Sequence, residues 1–563
     1  MKRAAWCGAA MLLLLAATPG YRANADAAAA AFDAGKFGQA ASLYQQLVAA
    51  NPVNPGVWKR LADSRYGAGD YADAIAAYQK ALELRADQPS YCAYDLARAY
   101  AQAGDTTSAM RWLTQAMSWG YPKLEEARAD TALARLHGRS DYNSLMGIVD
   151  ASKMTRTQGW RYDLEFLARY VKVRAYHPFK TTTGDRFVSR ALHTESQFDA
   201  QVQSIYDRIP RLNDVQIELA FMRLIASLGD GHTELGLGPR PEYVNTLPLK
   251  FESFAEGIFI TAAEPQYRAL VGAQVLAFDG HPTSGVIARM APYLSRDNDY
   301  WIAAFLPQYF RYPALLHGLG IAARSDRVSF RLGRPDGTTT DAAVTTVTDA
   351  PYIWNELPSP EGWVNLFDTL PAPAPLYLQK NATNWLTYDA PHKLLYAQYN
   401  RVLDLPGETL AQFAAQIQSA LDADDVDKLV LDMRWNNGGN TYLNGPLLDL
   451  VMRNVTIDRP GHLFIIIGPR TFSAALNSAA YFERNTNAVF VGEPTGGKPN
   501  SPGEEWFFSL PYSKVNVSLS NLYWESGWPV DSRWAIAPQI YTPRTFADYL
   551  ARRDPALDAV LAY

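Results

Sequence analysis

Four short segments of this 563-residue chain hold residues whose types and spacing could do chemistry. In GPRTFSAALNSAA, an apolar run ends at Ile467, and a short loop leads to Ser473 at the start of a helix-like stretch. A serine there faces the positive end of the helix dipole, which favours the negative charge that develops as a nucleophile attacks. The same place suits a helix cap, formed by Ser473 or by Thr471, and the segment alone leaves both uses open. In LDMRWNNGGN, a second apolar run leads into Gly438 and Gly439, where missing side chains let the backbone approach a ligand with its amide hydrogens outward. With the amide of Ala474 these could form an oxyanion hole, in which losing one donor typically costs ~100- to 1,000-fold in rate. An ordinary glycine turn is the alternative. VGEPTGGKPN sets Lys498 behind a third run and two glycines, and GDGHTEL sets His232 in a glycine-flanked turn. A lone histidine in a turn is more often structural than catalytic.

Elements of a particular kind must hold these segments. From HKLLYAQYNRV onward, strand-like runs alternate with amphipathic or small-faced helical stretches (LAQFAAQIQSAL, LNGPLLDLVMR, SAALNSAAYFERN). That alternation predicts a parallel sheet covered by helices, with reactive groups at the carboxyl ends of its strands. Upstream, about Leu247 to Val347 alternates apolar and polar residues around turn signals, interrupted by a helical stretch at about Tyr300 to His317. The segment GAQVLAFDGHP there resembles the strand-turn of a PDZ-like module, without a clear carboxylate-binding loop. A Pro-rich passage, about Leu357 to Pro375, reads as linker or surface loop. About Tyr162 to Ile225 has helical periodicity and ends where glycines break it before His232.

At the front, three similar segments carry turn glycines at Gly35, Gly69 and Gly104, a period of 34 to 35 residues. This period, with small residues at packing positions and Pro52 and Pro89 near helix ends, resembles the tetratricopeptide repeat, whose helix pairs stack into a solenoid. Its concave surface is expected either to hold a peptide or protein partner or to serve as a spacer. Before it, Lys2 and Arg3, an apolar stretch ending in Met11 to Ala17, and Ala23-Asn24-Ala25 ahead of Asp26 predict a cleaved secretory signal and an exported protein, periplasmic or secreted. Cleavage would leave Cys92 alone, so no internal disulfide is expected.

Taken in order, the DGHT segment, the PDZ-like stretch, the D-x-R-x-N-x-G-G-like loop, the T-x-S-A turn and G-x-P-T-x-G-K resemble the C-terminal-processing, or tail-specific, serine peptidase family. The match looks closest to the tricorn-core-like branch and spans about Tyr162 to Tyr563. The resemblance implies a multidomain α+β chain: an α-solenoid, a helical domain, a PDZ-like β module and a crotonase-like α/β catalytic core. The expected boundaries are a signal peptide at 1–25, repeats at 26–140, the helical domain at 155–240, the PDZ-like domain at 245–350 and the core at 385–563. It implies a serine-type hydrolase that cuts peptides or unfolded protein tails through an acyl-enzyme on Ser473. One branch uses a lysine as base, about where Lys498 falls, and the other a histidine at the place of His232. A free lysine titrates near ~10.4, and bringing it to neutrality costs about 4 kcal/mol, whereas histidine starts near ~6.5. His232 is therefore favoured, with Lys498 as an electrostatic or positioning group. The family's serine before the histidine is Gly231 here, which leaves the orienting group open among Asp230, Glu525 and Asp531, with Glu525 preferred.

Composition narrows the rest. A net charge of −5 gives no reason to expect nucleic acid or an anionic membrane as partner. No later run is long enough for a membrane helix. Eight scattered histidines, without H-E-x-x-H or paired cysteines, give no metal site, and no dinucleotide fingerprint follows a strand, so no cofactor is expected. The competing expectation is a non-catalytic ligand- or protein-binding protein on the same scaffold.

Overall fold

The computed structural model describes residues 19–176, 178–179, 194–348, 359–369, 374–379 and 382–563. Most of the expected signal peptide, and residues 357–358 and 370–373 of the Pro-rich passage, lie outside these residues. The chain divides into two compact units: Met1–Met154 with Arg169–Ala175, and Thr155–Ala168 with Tyr176–Tyr563.

In the first unit six helices alternate with short turns: α1 (Pro19–Asp33), α2 (Phe37–Ala50), α3 (Pro55–Gly67), α4 (Tyr71–Glu83), α5 (Pro89–Ala103) and α6 (Thr106–Ser118). The Ala23–Asn24–Ala25 segment lies within α1. The periodic glycines have φ of +71° (Gly35), +85° (Gly69) and +92° (Gly104). A Cβ on Gly35 or Gly69 would meet nothing within 4 Å, so the turn demands glycine for its backbone conformation, not for space. Buried alanines (Ala40, Ala62, Ala74, Ala81, Ala97, Ala99) let the helices approach closely around Leu61 and Leu96. Polar links cross from repeat to repeat: Lys59 Nζ reaches Asp95 at 3.2 Å, and Arg98 Nε reaches Asp130 at 2.8 Å.

The second unit holds the expected parallel sheet. Its strands are β7 (Trp385–Asp389), β8 (Leu394–Gln398), β9 (Lys428–Asp432), β10 (Leu463–Ile467), β11 (Val489–Gly492) and β14 (Ile540–Tyr541), side by side in that order. Only β7 runs antiparallel to its neighbour. Strand alternation divides the apolar residues between two faces. Leu395, Leu429, Leu431, Leu463 and Ile465 pack with α10 (Leu410–Ala423), α11 (Gly445–Arg453) and α12 (Ala474–Asn485). Leu394, Tyr396, Val430, Phe464 and Ile466 pack with α13 (Pro555–Ala562). Cover on both faces explains why LFIII is apolar at every position.

Upstream lie α7 (Glu195–Arg208) and α8 (Asp214–Ala226), each begun by a reciprocal cap, Thr194 with Gln197 and Asn213 with Gln216. The β-rich stretch forms an antiparallel sheet around β2 (Leu249–Phe254), β3 (Gly257–Ala263), β4 (Gln274–Phe278), β5 (Arg327–Gly333) and β6 (Thr339–Thr345). The helix α9 (Tyr300–Tyr309) contributes Trp301 and Phe305 to its core. Finally, β12 (Asn500–Ser509) and β13 (Asn516–Glu525) make a long hairpin whose outer edge pairs with β1 (Glu234–Leu235), directly after the DGHT turn.

Candidate active site

Three loops that follow adjacent parallel strands supply three of the four segments. After β10, Thr471 ties the loop down: its hydroxyl donates to Met433 O at 2.9 Å and accepts from Gly468 N at 3.1 Å. The next residues turn sharply into α12. Ser473 takes φ +52° and ψ −130°, and its side chain makes no capping hydrogen bond. A non-glycine residue in such a conformation costs ~1–3 kcal/mol, and strain of this kind gathers at functional sites. The capping role open to Ser473 and Thr471 in the sequence is therefore filled by neither, and Ser473 is partly exposed between buried neighbours.

After β9, the motif residues divide their duties. Arg434 bridges Asp432 and Asp554, at 2.8 Å to each, and so fixes the strand end to the start of α13. Asn436, fully buried, holds the loop: its Nδ2 donates to Tyr399 O at 2.8 Å and its Oδ1 accepts from Gly438 N at 2.9 Å. The Gly438 amide is thus already engaged. What this glycine provides is space, because a Cβ on it would lie 2.6 Å from Ser473 Cβ and 2.8 Å from Ala474 N. Gly439, at φ +142°, presses equally close to Val402 O, 2.2 Å from where its Cβ would be. Among the described residues no hydrogen bond takes the Ala474 or Gly439 amide, and α12 directs the positive end of its dipole at the same place.

His232 comes from outside the sheet. Asp230 Oδ1 accepts from its backbone N–H at 2.9 Å, Thr233 Oγ1 donates to Asp230 Oδ2 at 2.5 Å, and Ser518 Oγ donates to His232 O at 3.0 Å. Its imidazole stacks on Phe472, the residue before Ser473, with ring centroids 4.4 Å apart. Nε2 lies 3.9 Å from Glu505 Oε1, and Nδ1 is buried without a hydrogen-bond partner.

Glu525, the preferred orienting acid in the sequence, is placed elsewhere. It is the exposed last residue of β13, opposite Asn500. Alternation along β13 puts it on the side of Val517 and Leu519, away from Ser518 and Trp524, which lie on the His232 side. The carboxylate beside the imidazole is Glu505. It follows no motif, and only the register of the hairpin brings it there.

Lys498, after β11, is buried, with Nζ 4.8 Å from the centroid of the Trp534 ring. Its charge acts on Asp297, a residue the sequence did not single out. Asp297 is 2% exposed; its Oδ1 accepts from Gly231 N at 2.9 Å, and a Cβ on Gly497 would lie 3.1 Å from its Oδ2. Burial raises the Asp297 carboxyl above the usual range, an effect that Lys498 opposes and Asp230 adds to. One buried carboxylate therefore joins the loop before His232 to the loop that carries Lys498.

Comparison with known proteins finds likenesses of two kinds. Tetratricopeptide-repeat family models match residues 25–91 and 65–136, so the N-terminal helices are tetratricopeptide repeats. Mature CPAF complexed with lactacystin is similar to the chain at 14% identity, with 72% of this chain and 97% of that one covered and a TM-score of 0.48. For the photosystem II D1 C-terminal processing protease the values are 14%, 72%, 96% and 0.35. The tricorn protease matches at 11% identity over 73% of this chain and 37% of its own, with a TM-score of 0.33. No curated protein matches the sequence.

Proposed function

We propose that this protein is an exported serine peptidase that hydrolyses peptides or unfolded protein tails. The observation that carries the reading is Ser473 itself: a strained residue at a strand-to-helix turn, its hydroxyl unused in capping, beside the amide of Ala474 and the bare face of Gly438. In this reading Ser473 Oγ attacks the carbonyl carbon of a peptide bond while His232 accepts the hydroxyl proton. The Ala474 and Gly439 amides hold the oxyanion. His232 then protonates the departing amine, and water hydrolyses the acyl ester to regenerate Ser473. A lysine must shed its proton to act as base, and Lys498 lies where its positive charge offsets buried Asp297; it serves here as a positioning charge. Glu505 stabilises the imidazolium. The repeats hold a partner or gather substrate, the PDZ-like module adds a substrate strand to its edge, and the N-terminal basic and apolar residues direct export to the periplasm or beyond.

Labelling with a fluorophosphonate, alongside peptide cleavage, tests this on wild type, Ser473→Ala, His232→Ala and Lys498→Ala. Labelling is expected to vanish in Ser473→Ala and turnover to fall by at least ~100-fold in His232→Ala. Near-normal turnover in His232→Ala with none in Lys498→Ala would reverse the choice of base. A wild type blank in both assays would make the chain a binding protein on this scaffold.

A further inference from the structure

On the face of the β1–β13–β12 sheet that carries Ser518 lies a cavity of ≈ 410 Å³ lined by Glu234, Gln308, Tyr309, Tyr312, Phe507 and Ser518. The register builds its floor: Glu234, Ser518 and Phe507 stand directly opposite one another across the three strands and so share one face. Ser518 links this floor to the reacting groups, accepting from Glu234 N at 3.2 Å and donating to His232 O at 3.0 Å. Glu505, two residues before Phe507 and on the same side of β12, is the carboxylate next to His232 Nε2.

Three features of the cavity call for a ligand of one kind. First, the carboxamide of Gln308 has both its nitrogen and its oxygen buried without a hydrogen-bond partner, although it lines the space. Unpaired buried polar atoms of this sort cost ~1–3 kcal/mol each unless something fills their need. Second, Glu234 accepts one hydrogen bond, from Tyr309 Oη at 3.0 Å, and among the described residues no cation pairs with it. Burial raises its carboxyl above the usual range, and the neighbouring Glu505 raises it further. Arg311 also borders the cavity, but its guanidinium is occupied by Leu247 O and Thr246 Oγ1 and lies over Trp363. Third, the Phe507 ring, 71% exposed, offers an aromatic face on which a cation can rest.

We propose that this cavity is a substrate subsite for a cationic side chain, arginine above lysine, of the peptide bound at Ser473. A guanidinium can donate to the Glu234 carboxylate and to Gln308 Oε1 at once, and its planar head can lie on the Phe507 ring. A lysine ammonium serves the carboxylate alone. An acidic side chain is excluded by the charges of Glu234 and Glu505. The subsite rests on the peptidase reading only in that the cation belongs to a peptide.

Binding is measured on full-length Ser473→Ala with fluorescent peptides of neutral sequence. Arginine, lysine, norleucine, glutamine or glutamate is moved through each position in turn, and cleavage of the same peptides is followed with the wild type. At one position arginine is expected to bind about tenfold or more tightly than norleucine, the worth of one buried hydrogen bond to a charged group. Glu234→Gln is expected to bring the two within about threefold of each other. Phe507→Ala, which removes an exposed ring and leaves the core intact, is expected to weaken arginine more than norleucine. The subsite is overturned if no position prefers a cation, if glutamine binds as tightly as arginine, or if the preference survives both substitutions. Cleavage without a cationic preference removes the subsite and leaves the peptidase standing. Glu234-dependent binding of arginine peptides by a wild type that cleaves nothing does the opposite.

Discussion

The repeats and the ends of the parallel strands are built on opposite plans. In the repeats every device recurs: a glycine in a left-handed turn, alanines where helices touch, and an ion pair to the next repeat, as at Lys59–Asp95 and Arg98–Asp130. At the ends of the parallel strands nothing recurs. One serine sits in a strained conformation, one imidazole nitrogen and one oxygen of Asp297 are buried without hydrogen bonds, and Lys498 is buried close by. The first pattern makes a stackable surface. The second keeps conflict in place with rigid strands behind it, as a reactive site requires.

If that contrast holds, the largest effect belongs to the smallest change at the strand ends. Gly438→Ala adds one methyl group where 2.6 Å separates it from Ser473 Cβ, and peptide turnover is expected to fall ~100- to 1,000-fold, the scale of losing an oxyanion donor. Circular dichroism should show the fold retained; normal turnover would mean that the space beside Ser473 is not where the reacting carbonyl sits. Leu96→Ala in the repeats should do the reverse. It empties a fully buried position and is expected to cost ~2–5 kcal/mol of that unit's stability, while cleavage of a short peptide stays as in the wild type. Loss of short-peptide cleavage would break the separation of roles.

The smallest effect concerns pH and the antiparallel sheet. Burial alone would raise the Glu252 carboxyl, but Lys250 and Arg544 overcome this and hold it at about 2. Depression of a carboxyl means stability that is present above its unfolded value, near ~4.3, and lost as pH falls towards 2. Thermal unfolding followed from pH 5 downward should therefore drop less steeply in Glu252→Gln than in the wild type. Equal slopes would mean that the Lys250 and Arg544 contacts do not persist in solution.

Much of this organisation was legible in the residues. The 34- to 35-residue glycine period specifies stacked helix pairs, because each turn requires a positive φ that recurs in sequence. Strand and helix order in the core could be read from apolar runs, since a strand buried on both faces has to be apolar throughout, as LFIII is. Ser473, His232, Lys498 and the paired glycines could be singled out as candidates for a related reason: each follows a strand or helix end, where local signals are strong.

Only the tertiary structure decided how those loops work together. Glu525 and Glu505 are both glutamates of the same hairpin, and the alternation of a paired strand puts one at the imidazole and the other in solvent. Gly438 reads as an amide donor, yet its N–H is taken by Asn436 and its use is the absence of a side chain. Asp297 has no motif and stands 65 residues from His232, yet it bridges the histidine turn and the lysine loop. A sequence specifies what depends on neighbours along the chain, namely turns, periodicity and strand ends. Which carboxylate meets which cation depends on strand register and on the burial that three separate loops create together, and neither is written in any one segment.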